Sequence, residues 1–387
     1  MVRDRQRPLR VAHVITTLVA GGTERMLQRV VLSTRELGVE HEVISLVSGG
    51  EVESALRAEN VTVRSLGMQR HSMVPDLSAV WRLVRLLRAA DVDLVQAWMY
   101  HANLLAALAS PLAGTGRAVW GIRASSLPAG RERRRTIALA GMSSLLASVL
   151  ARSVIVNGER ARRSHVAAGY PEARMVTIPN GYELDIWRPD ADARVSVRRE
   201  LGIDADALLI GLIANFRPIK DHRMLLRAVG ALRRDGLDVH VLLAGVDATA
   251  TSTILSAMIH EELGERAQVH ALGSRPDVPR LTAALDVATL TSIDESFPNA
   301  LAEAMACAVP VVATDAGDAL SILGVPEDVV SISDYAALSR RIAWWLRQPL
   351  AARVAHGEML RARVAARFSM ASVAEHFIAH WTSLVRR

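Results

Sequence analysis

Cysteine is nearly absent: Cys307 is the only one in 387 residues. That excludes an intramolecular disulfide and any zinc site built on thiolates, and it suits a reducing cytoplasm. Aromatic residues make up only 4 % of the chain, and no RNA- or DNA-binding signature accompanies them, so nucleic acid is not an expected partner. No G-x-G-x-x-G follows the first apolar run, which leaves a dinucleotide site unsupported. The longest charge-free apolar stretch, Ile137–Ala151, is shorter than the ~20 residues that cross a bilayer. The opening MVRDRQRPLR has no apolar core of the kind a signal peptide carries. A cytoplasmic protein is the expectation.

What is present is apolar bulk of one kind. Half of the residues are hydrophobic, chiefly Ala, Val and Leu, which suits parallel strands covered by helices better than an aromatic-packed sandwich. The length allows two domains. The formal net charge is +6, carried by Arg far more than Lys and scattered along helix-like segments. Such an excess points to phosphorylated ligands or to an anionic membrane surface. Arg131, Arg133, Arg134 and Arg135 flank the apolar Ile137–Ala151 stretch, which reads as a buried helix or, alternatively, as one leaning on a membrane.

Short apolar runs alternate with segments of helical spacing. Leu9–Thr16, Glu42–Leu46, Val61–Leu66, Leu94–Gln96, Ala118–Gly121, Ser153–Asn157 and Met175–Ile178 read as strands of a first sheet. Leu208–Ala214, Val239–Ala244, Gln268–Leu272, Val287–Leu290 and Val309–Thr314 read as strands of a second. This repeated βα order predicts an α/β protein of two Rossmann-like, doubly wound parallel-sheet domains facing a cleft. The polar stretch Asp190–Glu200 suggests the boundary: residues 1–190 form the acceptor-side domain and 191–365 the donor-side domain. The last helix, about 366–387, is expected to pack back on the first domain.

Three motifs carry chemistry. In Asp294-Glu295-Ser296-Phe297-Pro298-Asn299-Ala300-Leu301-Ala302-Glu303, Ser296 is a natural N-cap and Pro298 suits a first turn, so a helix is expected to begin there. Its unpaired N–H groups would make an anion site fit for a diphosphate. The flanking Glu295 and Glu303 make sense if each holds a neutral hydroxyl, one on a sugar and one on a ribose. An ordinary capped helix with a surface Glu is the plainer alternative. Arg217 and Lys220, three apart after the first strand of the second half, can clamp a diphosphate from the other side. Gly21-Gly22, between the first strand and the first helix, permits a sharp turn and close approach of backbone to a ligand.

Together these segments resemble glycosyltransferase family 4, of GT-B fold, and the resemblance covers nearly the whole chain. It rests on Glu295…Glu303 with Phe297-Pro298-Asn299, on Gly21-Gly22-x-Glu24, on Ile178-Pro179-Asn180-Gly181, on Arg217-x-x-Lys220, on Leu272-Gly273-x-Arg275-x-Asp277-Val278-Pro279 and on Asp315-x-Gly317. His101-Ala102-Asn103 and Trp120-Gly121-Ile122-Arg123 look like members that build bacterial surface polysaccharides. The resemblance implies a retaining hexosyl or N-acetylhexosaminyl transfer from a nucleotide sugar, a UDP-sugar being favoured. The acceptor would be a glycan or a polyprenyl-diphosphate-linked glycan, with no cofactor and no metal.

It implies catalytic roles for Arg217, Lys220, Glu295 and His101. Donor binding would fall to Gly21, Gly22, Arg217, Lys220, Glu295, Phe297, Pro298, Asn299, Ala300, Leu301 and Glu303. Without the family, His101 is a lone histidine beside apolar residues, more often structural. Two positions depart from the pattern: Ser296 replaces a glycine, and Val246-Asp247-Ala248 follows Gly245 where the family has G-x-G-P. The Asp91/Asp93, Asp190/Asp192 and Asp204/Asp206 pairs read as turns or caps rather than metal loops. Acceptor choice is expected in the loops Met68–Asp76 and Ser125–Arg135. A sugar-nucleotide epimerase or hydrolase, or a non-catalytic nucleotide-sugar-binding scaffold, would share the same donor residues.

Overall fold

The central strands are made largely of buried Val, Ile, Leu and Ala and need cover on both faces, and the computed structural model provides it twice. It describes residues 7–385 apart from 20, 70–76, 125–140, 142 and 266. The chain divides into unit 1, Met1–Gly181 with Met370–Arg387, and unit 2, Tyr182–Ser369.

Unit 1 holds β1 (Arg10–Ile15), β2 (Glu40–Ser45), β3 (Thr62–Ser65), β4 (Leu94–Trp98), β5 (Val119–Ile122), β6 (Ser153–Val156) and β7 (Met175–Thr177). Every pairing is parallel, in the order β3-β2-β1-β4-β5-β6-β7. One face is covered by helices Leu77–Ala90 and Tyr100–Ala113 and by the helical residues 143–150, through Leu83, Leu87, Leu105 and Ala147. The other face is covered by Gly22–Glu36, Glu51–Ala58 and the last helix, Met370–Val385. That last helix buries Met370, Val373, Ala374, Phe377 and Trp381, one stripe at helical spacing. Trp381 is fully buried, and its indole N–H donates to Gln96 Oε1 at 3.2 Å.

Unit 2 holds β8 (Leu208–Ile213), β9 (Val239–Ala244), β10 (Val269–Ala271), β11 (Val287–Leu290), β12 (Val311–Thr314) and β13 (Val329–Val330). They are parallel in the order β10-β9-β8-β11-β12-β13. β13 is a two-residue edge strand, too short an apolar run to stand out in the sequence.

The polar stretch after Pro189 is not a boundary. It forms helix Ala191–Leu201, begun by Asp190, whose side chain accepts from Ala193 N. Its Arg198 is buried and reaches Asp286 at 2.8 Å, while Arg194 and Arg353 reach the same carboxylate at 2.9 and 3.2 Å. Asp286 also accepts from the Leu209 N–H at the start of β8, which ties the helix to the sheet. The crossing between units lies earlier, at Gly181/Tyr182, because Tyr182 and Trp187 belong to the unit 2 core.

Of the apolar stretch beside the arginine cluster, residues 143–150 are helical, with Leu145 77 % and Val149 61 % exposed. The cluster Arg131–Arg135, the loop 125–135 and most of the loop 68–76 lie outside the described residues. No helix among the described residues is long and apolar enough to cross a membrane.

Candidate functional site

Ligands of open parallel sheets bind beyond the strand carboxyl ends, where the strand order reverses. In unit 2 that point lies between β8 and β11, and the loops leaving those two strands carry Arg217, Lys220 and Glu295.

After β8 the chain makes a 3-10 turn, Pro218–Lys220. Asp221 then takes a left-handed conformation, φ +42°, and caps helix His222–Arg234 by accepting from Met224 N. Asp tolerates that region better than most residues because its short side chain bonds locally. The β11 loop is laced to this turn: Ile293 N–H donates to Ile219 O at 2.8 Å, and the Thr291 hydroxyl to Lys220 O at 2.7 Å. From β12, the Thr314 hydroxyl donates to Ser292 O at 2.6 Å. The lacing brings the Lys220 ammonium onto the Glu295 carboxylate as an ion pair, and Ser292 Oγ donates to the same carboxylate at 2.7 Å. Lys220 was expected on the diphosphate and Glu295 on the sugar; here each is the other's partner. The Arg217 guanidinium makes no hydrogen bond or ion pair among the described residues. Behind the turn, burial holds His222 down to about 4, with Lys220 adding to the effect, so it is neutral near pH 7.

Lys220 stands out in another way. Of 46 basic residues in the chain it is the only lysine.

The helix with its two flanking glutamates begins later than its sequence suggests. It spans Asn299–Ala306; Pro298 occupies the cap position and no side chain caps it. Ser296 cannot cap a helix here because Phe297 precedes a proline, which pushes it out of helical geometry. Phe297 instead turns into the core, 5 % exposed, its ring 6.5 Å from Tyr182 and 5.7 Å from Phe368. The helix start at Asn299, Ala300 and Leu301 presents the positive end of the dipole without a side-chain cap. Glu303, half-buried, lies one turn further along.

Two close approaches fix this arrangement. Gly317, φ +65°, lies under Glu295: a Cβ there would stand 2.4 Å from Glu295 O. Gly245, φ +153°, lies against Ala214, where a Cβ would stand 2.2 Å from its O. The loop after Gly245 is held by Asn215 Oδ1, which accepts from Val246 N, and by Phe216 N, which donates to Val246 O. Asp247 has φ +63° at the position where the family's second glycine falls. The loop therefore reaches a glycine-like turn with an aspartate.

In unit 1 the strand order reverses between β1 and β4. Gly21 and Gly22 follow β1, and His101 lies near the start of Tyr100–Ala113, the helix after β4. Gly21 is in ordinary extended conformation, φ −155°, so no left-handed turn demands it. A Cβ there would come within 2.4 Å of Glu24 Oε2, the far end of a flexible side chain that folds back over the helix start and can move aside. Burial raises Glu24 above the usual carboxylate range. Met99 caps the His101 helix with φ +69°, a strained value for methionine. The helix is steadied by Asn103, whose side chain exchanges two hydrogen bonds of 3.2 Å with Gly121. His101 is half-buried and held below its ordinary value by desolvation, hence neutral near pH 7.

Sequence reading missed Tyr182, whose hydroxyl donates to Asn299 Oδ1 at 2.7 Å. No local pattern marks it; only the fold brings residues 117 apart together.

Residues 207–348 match the family model described as glycosyl transferases group 1, and residues 20–186 match glycosyltransferase family 4. The chain is 34 % identical over 147 residues to the D-inositol 3-phosphate glycosyltransferase of Corynebacterium jeikeium, a match that spans 36 % of this chain and 35 % of that one. It is 25 % identical over 319 residues to the D-inositol 3-phosphate glycosyltransferase of Mycolicibacterium gilvum, covering 77 % and 70 % of the two chains. Among solved structures, Anabaena HepE in complex with UDP superposes with a TM-score of 0.83 over 97 % of this chain and 100 % of that one, at 21 % identity.

Proposed function

Because the chain belongs to glycosyltransferase family 4 and has the GT-B fold, we propose that it moves a sugar, with retention of configuration, from a nucleoside-diphosphate sugar to a glycan or polyprenyl-diphosphate-linked acceptor. The observation that carries this reading is the Lys220–Glu295 pair at the switch point of unit 2, with the Arg217 guanidinium unengaged and an uncapped helix start in the same loop. An arriving diphosphate takes Lys220 from Glu295, and the released carboxylate accepts a hydroxyl of the sugar. The acceptor hydroxyl approaches the anomeric carbon on the face the phosphate leaves; as its oxygen bonds there, the bond to the phosphate oxygen breaks, the electron pair stays on that oxygen, and the same oxygen takes the acceptor's proton. Arg217, Lys220 and the helix start stabilise that charge, which makes a metal ion unnecessary for this step. Glu303 takes the ribose. A UDP-sugar is the favoured donor, supported by the UDP bound to the similar HepE.

The single lysine permits a direct test. Acetylation with an amine-reactive ester should modify only Lys220 and the N-terminus, and UDP should protect Lys220. A thermal-shift panel of UDP-, GDP- and ADP-sugars, with and without Mg²⁺, run beside Arg217→Ala and Glu303→Ala, names the base. A shift independent of Mg²⁺ and lost in both variants supports the reading. Modification of Lys220 at the same rate with every nucleotide, and no thermal shift, would sink it.

An anionic membrane surface fits the acceptor. Residues 94–158 contain seven arginines and one acid, Glu132. Leu108, Leu112, Leu145 and Val149 are exposed on helices that cover the same face of the unit 1 sheet. Retention on anionic vesicles at low salt, weakened by Leu145→Glu with Val149→Glu, checks this.

A further inference from the structure

The chain passes from unit 1 to unit 2 between Gly181 and Tyr182 and returns between Ser369 and Met370. These two crossings lie side by side. The Tyr182 N–H donates to Phe368 O at 2.9 Å, and Tyr182 forms a parallel bridge with Ser369. One residue earlier, a Cβ on Gly181 would stand 2.7 Å from Met370 Sδ and 3.1 Å from Met370 Cα, so the chain passes closely there.

The side chain of Tyr182 runs the other way, into unit 2. It is fully buried; its ring lies at 26° to that of Phe297, and its hydroxyl donates to Asn299 Oδ1 at 2.7 Å. Asn299 is the first residue of the uncapped helix. A single residue thus holds the returning strand with its backbone and the helix start with its hydroxyl. Its ring is clamped by Phe297, itself packed edge-on against Phe368 beside the second crossing.

We propose that Tyr182 is a positioning residue that couples the double crossing to the diphosphate site. The inference rests on the reading of the Asn299–Ala306 start as that site. Turning the backbone at residue 182 swings a rigid ring with only two side-chain torsions, so the hydroxyl cannot keep Asn299 without moving it. By linkage, a diphosphate that fixes the helix start also fixes the crossing, and the reverse holds equally.

Tyr182→Phe isolates the hydroxyl, because the ring and its packing remain. UDP binding by calorimetry is expected to weaken about 5- to 10-fold, the scale of one buried hydrogen bond. The melting temperature should fall by no more than about 2 to 4 °C. In Asn299→Ala, which has already lost the acceptor, adding Tyr182→Phe should weaken binding no further. Hydrogen exchange supplies a readout that packing alone would not move. UDP should slow exchange of the Tyr182 amide in the wild type, and this slowing should be lost in Tyr182→Phe at saturating UDP. Wild-type affinity in Tyr182→Phe, or slowing that survives the substitution, overturns the coupling while leaving the donor site intact. Failure of the wild type to bind UDP, GDP or ADP overturns the donor-site reading, and the coupling falls with it.

Discussion

Gly317→Ala is a sharp test of how Glu295 is held. Two costs add at this position. The left-handed conformation, φ +65°, costs a residue with a Cβ about 1–2 kcal/mol. The new methyl would also stand 2.4 Å from Glu295 O and 2.8 Å from its carbonyl carbon. Backbone cannot rotate aside as a side chain can, so relief requires moving the Glu295 loop, at a further cost of about 1–3 kcal/mol. Gly236→Ala separates the two costs: φ is +79° and nothing lies within 4 Å of its Cβ, leaving only the conformational part. Both variants should lose stability in thermal melts, Gly317→Ala by about 1–3 kcal/mol more. Only Gly317→Ala should lose activity, by about 100-fold in kcat/KM, the scale for a catalytic group displaced by about 1 Å. Equal stability and equal turnover in the two variants would refute the argument that Gly317 is the floor beneath Glu295.

Lys220→Arg should keep UDP affinity within several-fold but lower kcat by about 100-fold or more, measured under donor saturation. Asp247→Gly relieves a left-handed φ of +63° and should raise stability by up to about 1 kcal/mol in urea melts. If it also leaves UDP affinity unchanged, the carboxylate has no part in reading the base. In the unit 1 core, Trp98 Nε1 donates to His13 Nδ1, so His13 Nε2–H donates to His41 Nδ1 at 3.0 Å and His41 Nε2–H to the Thr34 hydroxyl at 2.8 Å. Burial lowers both histidines from 6.5, His41 to about 3. The unfolded chain therefore gains protons first as pH falls. Stability is full above about pH 6.5 and declines below it by up to about 1.4 kcal/mol per pH unit for each histidine, a slope that urea melts between pH 7.5 and 5 should show.

The central strands were legible because parallel strands buried on both faces read as largely apolar runs, and the switch-point loops follow directly from them. Helix starts were harder. Ser296 has cap chemistry, but the constraint that Pro298 imposes on Phe297 outweighed it and delayed the helix to Asn299. Likewise Asp190–Glu200 looks like a solvated linker by composition. Its buried Arg198 has meaning only once Asp286, 88 residues away, supplies the partner. The departure after Gly245 lacks a glycine of the pattern, yet Asp247 takes up the backbone angle a glycine would have provided. Sequence patterns report residue types, while a turn requires a dihedral angle, and more than one residue type can meet it.

The lone lysine joins composition to mechanism. A chain that places its basic charge on arginine everywhere except residue 220 has no general use for lysine. In the mechanism proposed above, the exception falls where a cation would hold a carboxylate and then release it. An arginine facing Glu295 could form two parallel hydrogen bonds in a planar fork, a pairing that resists exchange. An ammonium is a point charge with three donors and no fixed plane, so it can pass from Glu295 to a phosphate oxygen by rotating about its stem. The Ser292 hydroxyl, already donating to Glu295 at 2.7 Å, keeps the carboxylate partly satisfied while the lysine is away. In that mechanism Lys220 would make the exchange reversible, and Ser292 would limit the cost of leaving Glu295 behind.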